Sequence, residues 1–545
     1  MTVPAGTLRP VSREPVRPCL PQGEFDDLYS AVYRILDDAK TGHDLVKLYK
    51  GSHASPLPHH RVLDFGSFFY RTRQGLLAYA CEAAGGASEA HLDAYDRDHA
   101  PRVRTRAVFE HLVSFFRKPG ESRAAFLRYL TSRTHDLGAY RGGSSGYDDE
   151  ARALAAAHFN TLSVPATPAN TEVFCGGAKG VFLAFCAALM CRRRHDQLTH
   201  EGGVLLAPEG YYQSLRLMPA VFGGEIHVVP ELSWETIQRW LAETVRQPNR
   251  AVYVPLVNNA DGRVLTWLRA CSVASAVLRH NQAHPRQPVY VLADDVYAGS
   301  YLAPGLAPTS VASVTGAALG DPALGVMSDW TVTVATSSKT FALPTSRIAF
   351  ATTTSRRLLD ALRHYRTVFS MSRAPQVTEL TAAAALCLTP ATWAEQWNHH
   401  YRSAYQALAL RIEAVNTEAG FAACTVQEPE GGWYLPLRLS PALFGGQATS
   451  AMDAFAVMLH YGRGSQDTGI GFLPGELFGQ RTHQEGFAVR GSLAVSPAEL
   501  DAFARRLSDA VRLLRGPDGH AVVSYARRRA RDVCDLDAIL ARCRY

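Results

Sequence analysis

Lys339 follows the apolar run Thr331–Ala335 and stands in Thr336-Ser337-Ser338-Lys339-Thr340-Phe341. Lysine is rarely buried, so one set among hydroxyls just past a buried strand is out of place. Such a site suits an amine that forms a Schiff base, because desolvation and neighbours favour its neutral form. The plainer reading is a strand-end lysine that reaches solvent. Asp294, in Leu292-Ala293-Asp294-Asp295-Val296-Tyr297, closes a second apolar run. A carboxylate there can keep a pyridinium nitrogen protonated, and Tyr297 can donate to a phenolic oxygen. An Asp capping a following helix is the alternative. Asn259 lies in Leu256-Val257-Asn258-Asn259-Ala260-Asp261-Gly262, after a third run, where Asn and Gly also suit a simple turn. Phe174-Cys175-Gly176-Gly177-Ala178-Lys179 is a glycine loop feeding a helix start, whose backbone N–H groups suit a phosphate.

The elements that must position these residues follow from the texture of the chain. From about residue 170, short β-branched runs alternate with helical patterns. Val204–Leu206, Ala251–Leu256, Val289–Leu292 and Thr331–Ala335 read as buried strands, and Ala178–Arg192, Glu235–Arg246 and Leu268–His280 as helices. That alternation predicts a mostly parallel sheet covered by helices on both faces, with ligands at the carboxyl ends of the strands. The candidate residues all follow strands. Helical patterns at Pro375–Leu388 and Trp393–Ala419 lead into a smaller α+β region with strands at Gly431–Leu439 and Ala488–Val495. Before the sheet, Phe25–Asp38, Ala107–Phe116 and Arg123–Thr131 read as helices of an N-terminal extension. The expected division is therefore 1–135 (arm and helical extension), 136–390 (large domain), 391–515 (small domain) and 516–545 (basic, helical tail).

Composition narrows the classes. The 545 residues exceed one ordinary core, and 47% hydrophobic with 19% charged residues suits a globular protein. No apolar run reaches the length of a membrane span, and no secretory signal stands at the N-terminus, so a cytoplasmic location is expected. The net charge of +6 shows no basic stripe of the kind that binds nucleic acid. Ten cysteines without paired spacing read as reduced thiols, and no metal site is expected. Only six lysines are present, so few positions compete with Lys339 for a reactive-amine role.

Order and spacing join these pieces. The segment SSKTFALPTSRIAF resembles the S-K-x-F-x-x-P-G-x-R-x-G motif of fold-type I pyridoxal 5'-phosphate (PLP) enzymes, specifically the class I/II aminotransferases. Lys339 and Arg347 keep the family spacing of eight, and Asp294 and Tyr297 match its D-x-x-Y. Asn259 falls on the last Asn of N-P-x-N-P-T-G. Pro208–Pro230, Pro429–Leu439 and Val489–Ser496 match three further family segments in order. The resemblance spans roughly residues 135–515.

It implies the following roles. Lys339 is the Schiff-base lysine and general base. Asp294 pairs with the pyridine nitrogen, Asn259 and Tyr297 bond the phenolic oxygen, and Tyr212 stacks on the ring. Gly177, Ala178 and Lys179 offer backbone donors to the phosphate, with Ser338 and Arg347 beside them. Arg490 clamps the substrate carboxylate. Tyr140 resembles a tyrosine that reaches the phosphate across a homodimer interface.

Departures are Ala260 and Thr345 in place of the family's proline and glycine, and Ala349 in place of a second glycine. The resemblance implies amino-group transfer from an amino-acid substrate. A second reading is elimination, replacement or carbon–carbon bond formation on S-adenosylmethionine or a similar amino acid. It rests on Tyr211-Tyr212, which also matches 1-aminocyclopropane-1-carboxylate synthases, although Tyr211 equally reads as a packing aromatic. A third is a DNA-binding regulator with an inherited aminotransferase domain, but residues 42–130 contain no clear helix-turn-helix with a basic recognition helix.

Overall fold

The computed structural model describes residues 17–18, 22–42, 44–48, 149–194, 197–341, 343–371, 391–462, 468–480 and 486–542, with a few helical positions between 379 and 386. The expected helices at Ala107–Phe116 and Arg123–Thr131, and Tyr140, lie outside the described residues.

In chain order the first elements are β1 (Arg17–Pro18), α1 (Gln22–Gly42), β2 (Asp44–Lys47), α2 (Asp149–Thr161), β3 (Thr171–Cys175) and α3 (Ala178–Met190). A hairpin of β4 (Cys191–Arg194) and β5 (Gln197–His200) precedes β6 (Val204–Pro208), β7 (Glu225–Val229), α4 (Trp234–Glu243), β8 (Arg250–Pro255), α5 (Trp267–Ala283) and β9 (Val289–Asp294). Then come β10 (Thr331–Ala335), β11 (Ile348–Thr352), α6 (Arg356–Val368) and the long α7 (Ala391–Ala419).

Eight strands form one sheet in the order β1-β7-β6-β8-β9-β10-β11-β3. The pairs from β7 to β10 are parallel, whereas β11 runs antiparallel to both β10 and β3. The fold is the α/β architecture expected from the alternating pattern.

Strands β6, β8, β9 and β10 are buried at every position, as a sheet covered on both faces requires. Their side chains sort by twos into two cores. Leu205, Ala207, Ala251, Tyr253, Tyr290 and Leu292 join the core under α3, while Val204, Leu206, Val252, Val254, Val289 and Val291 join the one under α4 and α5. The helix expected to run to Arg192 ends at Met190, because Cys191–Arg194 pairs with Gln197–His200 instead.

A second, antiparallel sheet in the order β12-β13-β16-β15 comprises β12 (Cys424–Val426), β13 (Tyr434–Leu439), β15 (Leu473–Pro474) and β16 (Phe487–Ser492). With it go β14 (Thr468–Gly471), α8 (Ala451–Leu459), α9 (Pro497–Arg515), α10 (Gly519–Arg531) and α11 (Leu536–Arg542). The N-terminal β1 belongs to the large sheet, where it pairs with β7, whereas α1, β2 and the C-terminal helices pack here. β2 pairs with β14 in parallel, Arg529 of α10 bridges Asp38 of α1 at 3.1 Å, and Arg527 clamps the fully buried Asp453 of α8 at 2.9 and 2.5 Å. The Arg-rich C-terminal segment thus supplies the counter-charge for a buried carboxylate. No described helix is long and apolar enough to cross a membrane.

Arg527→Ala leaves Asp453 buried and unbalanced. The expected loss is about 3 kcal/mol of stability, read from the denaturant midpoint.

Candidate active site

The sheet brings its carboxyl-end loops to one edge. Asp294 is the last residue of β9, Asn259 follows β8, Tyr212 follows β6, and Lys339 follows β10. Because β11 runs the opposite way, its amino end places Arg347 at the same edge, beside the Gly176-Gly177 loop that leaves β3. A cavity there is lined by Ala178, Lys179, Tyr212, Asn259, Asp294, Tyr297, Ser338, Lys339 and Arg347, with Phe182, Tyr253 and Thr336 among its other walls. Nine of the residues singled out in the sequence therefore share one space.

At the floor, Asp294 is buried and accepts a 2.5 Å hydrogen bond from the Tyr253 hydroxyl. Tyr253 stands on the same face of the sheet, its ring edge-on to Phe182 of α3. Burial pushes the Asp294 carboxyl up to about 6, against the Tyr253 hydrogen bond and the nearby Lys339 charge. Burial, with Asp294 beside it, holds the Tyr253 phenol well above its ordinary range, so it stays a donor.

At one end, α3 begins directly after Gly177 and has no side-chain cap. Gly176 and Gly177 adopt φ of +99° and +70°, and a Cβ on Gly177 would lie 3.2 Å from the Arg347 guanidinium. Gly177 corrects one expectation. Its N–H donates to the Arg347 carbonyl at 2.7 Å, so the donors the loop offers are those of Ala178 and Lys179. The left-handed backbone of this segment falls on Arg347 itself, at φ +53°, and its guanidinium donates to the Gly176 carbonyl at 2.8 Å. Ser338 is buried, its hydroxyl 2.8 Å from that of Thr336.

Arg490 of β16 is not among the cavity's walls and meets it through Asn259; it is buried between two rings, its guanidinium 4.0 Å from the Tyr434 centroid and 4.6 Å from that of Phe478. It donates to the Asn259 Oδ1 at 2.5 Å, and its Nε is buried without a partner. Asn259 donates onward to the Tyr297 hydroxyl at 3.5 Å, and Tyr297 donates to the Tyr434 hydroxyl at 3.0 Å. Where the family carries proline, the Ala260 N–H donates to the Gly210 carbonyl at 3.0 Å, a bond proline cannot make. From α1, Tyr29 reaches the Ser214 hydroxyl and the neighbourhood of Lys179.

Tyr211 is fully buried in the core and is not among the cavity's walls. Tyr253, Tyr434 and Phe478 escaped the sequence reading. Tyr253 left the one usable signal, a phenol within a run of otherwise apolar strand residues. Among the described residues no group of His, Cys, Asp and Glu has metal-binding geometry.

A lysine, a buried carboxylate and an uncapped helix start at the carboxyl edge of such a sheet fit a PLP-dependent transferase. The profile described as aminotransferase class I and II matches residues 132–507, and the chain belongs to that family. The fold is similar to N-succinyldiaminopimelate aminotransferase from Mycobacterium tuberculosis, with a TM-score of 0.57 and 17% identity over 89% of this chain and 96% of that one. It is also similar to aspartate aminotransferase from Thermus thermophilus with maleate (0.56, 18%, 89% and 96%) and aromatic aminotransferase from Pyrococcus horikoshii (0.53, 22%, 68% and 87%). No curated protein matches the chain in sequence.

Asp295 is not among this cavity's walls, and both its carboxylate oxygens are buried without a partner in hydrogen-bonding geometry. Burial pushes it up to about 7, opposed by Ser310 and reinforced by Asp294. The folded state then holds a proton that the unfolded chain has released, so this group's stabilisation is full below its unfolded value of 3.8 and is lost as pH rises toward about 7. Asp295→Asn should therefore gain little over the parent near pH ~4 and on the order of 3–4 kcal/mol near pH ~8, measured by melting the cofactor-free protein.

Proposed function

We propose that the protein transfers the amino group of an α-amino acid to a keto-acid acceptor. The observation that carries this reading is the single cavity that joins Lys339, Asp294 and the start of α3 at one edge of the sheet. The residues fit PLP. The uncapped first turn of α3, Ser338 and Arg347 make an anion cradle suited to its phosphate. Asp294, raised by burial, lies where a protonated ring nitrogen would compensate its charge. When bound, that group withdraws electrons from the substrate's α-carbon and makes its proton removable.

The chain's own residues do the rest. Tyr253 fixes the Asp294 carboxylate from below, and Tyr212 supplies a ring wall. Asn259 offers an amide N–H to a phenolic oxygen, and Tyr297, whose one hydrogen is donated to Tyr434, would have to turn from it to do the same. The free edge of Arg490, marked by its unpartnered Nε, takes the substrate carboxylate. Asn259 and the two flanking rings hold that guanidinium in place before substrate arrives. Lys339 is the amine that carries the cofactor and moves the α-proton. The family resemblance extends the reading to a homodimer with shared sites, in which Tyr140 would reach the partner's phosphate, and to the cytoplasm.

With PLP, a panel of amino acids and a keto-acid acceptor, the purified protein should release the keto acid of its donor. Product without any acceptor would favour elimination chemistry instead. Lys339→Ala should lower turnover at least about 10³-fold. Arg490→Ala should cost about 2–5 kcal/mol in kcat/KM for carboxylate donors, and an unchanged value would remove Arg490 from the site.

A further inference from the structure

Tyr434 opens β13, and the family motif match assigned it no role. Its hydroxyl is hydrogen-bonded to the Lys339 side chain and accepts the Tyr297 hydroxyl at 3.0 Å, and its ring is covered by the Arg490 guanidinium at 4.0 Å. One buried phenol thus touches the amine assigned to the chemistry, a tyrosine of the cofactor wall and the cation assigned to the substrate carboxylate.

We propose that Tyr434 is the proton-exchanging and positioning partner of Lys339. Its oxygen accepts a hydrogen bond from Nζ and fixes the amine on the side of the cavity that Arg490 and Asn259 define. As a phenolate it takes one proton from the Lys339 ammonium, leaving a neutral amine and a neutral phenol. The reverse transfer restores both charges. Tyr434 stands on the small sheet and Lys339 on the large one, so this bond joins the two halves of the site.

The groups facing the Tyr434 oxygen are Lys339 after β10, Tyr297 after β9, Tyr212 after β6 and Arg490 on β16, with Asp294 beyond Tyr297. Burial raises the phenol, but the Lys339 and Arg490 charges and the bonds from Tyr297 and Lys339 outweigh it and leave Tyr434 below the ordinary 10. Tyr297, buried and donating, moves the opposite way. The hydrogen bond sets the polarity of the pair: Tyr297 donates and Tyr434 accepts, so Tyr434 is the phenol placed to ionise.

The inference rests on Lys339 being the reactive amine, and the test separates the two. In the cofactor-free protein, tyrosinate ultraviolet absorbance should show one phenol ionising below pH ~10. It should be absent in Tyr434→Phe and move upward in Lys339→Met, which removes the neighbouring cation. With PLP bound, Tyr434→Phe should lower kcat about 10²-fold, change KM for the amino donor little, and alter the pH profile of kcat. Tyr434→Phe keeps the ring under Arg490, and an unchanged melting temperature checks its fold. An early-ionising phenol that persists in Tyr434→Phe, or an unaltered kcat and pH profile in that variant, would overturn the proposal. Failure of Lys339 to hold PLP would instead overturn the assignment beneath it.

Discussion

Burial of both faces of the large sheet is the constraint on which the rest depends. With helices above and below, the strands have little room for polar groups except at their ends, so most of the site's polar groups collect where the chain leaves the sheet. Asp294 shows the cost. It is a carboxylate at the end of a fully buried strand, with one phenol beneath it and its acidity weakened by desolvation. A protein gains nothing in stability from such a group alone. It becomes favourable when a cation sits against it, which is what a protonated ring nitrogen supplies. The antiparallel turn of β11 adds the second requirement by returning Arg347 to the same edge as the glycine loop.

The small sheet completes the site from the other side. Arg490 and Tyr434 lie on neighbouring strands, β16 and β13, and both enter the cavity's polar network. Asn259 links them to the large sheet, because its side chain accepts from Arg490 and donates to Tyr297. Relative placement of the two sheets therefore sets the geometry around Lys339. The N-terminal region spans the two: β1 pairs with β7 of the large sheet, while β2 pairs with β14 and Arg529 ties α10 to Asp38 of α1 on the small-sheet side.

Much of this was legible in the sequence. Buried strands announce themselves as short β-branched runs, and Lys339, Asp294 and Asn259 are conspicuous as polar residues just past them. The partners were not legible. Tyr253 and Tyr434 read as ordinary strand aromatics, since nothing local says which face of a fully buried strand a phenol takes or what it meets. The occupied N–H of Gly177 was equally hidden, because its acceptor is a backbone carbonyl some 170 positions away in the chain, at Arg347. The β4–β5 hairpin was missed because Cys191 and Arg192 continue the helical pattern by composition, and the chain leaves it only by pairing with β5.

The central claim is that Lys339, and not the other lysine of the cavity, Lys179, carries the cofactor. Reduction of the PLP-loaded protein with borohydride, digestion and mass spectrometry tests it most directly. A pyridoxyl adduct on the peptide that contains Lys339 is the expected result. An adduct on the Lys179 peptide, or none on either, would contradict the account.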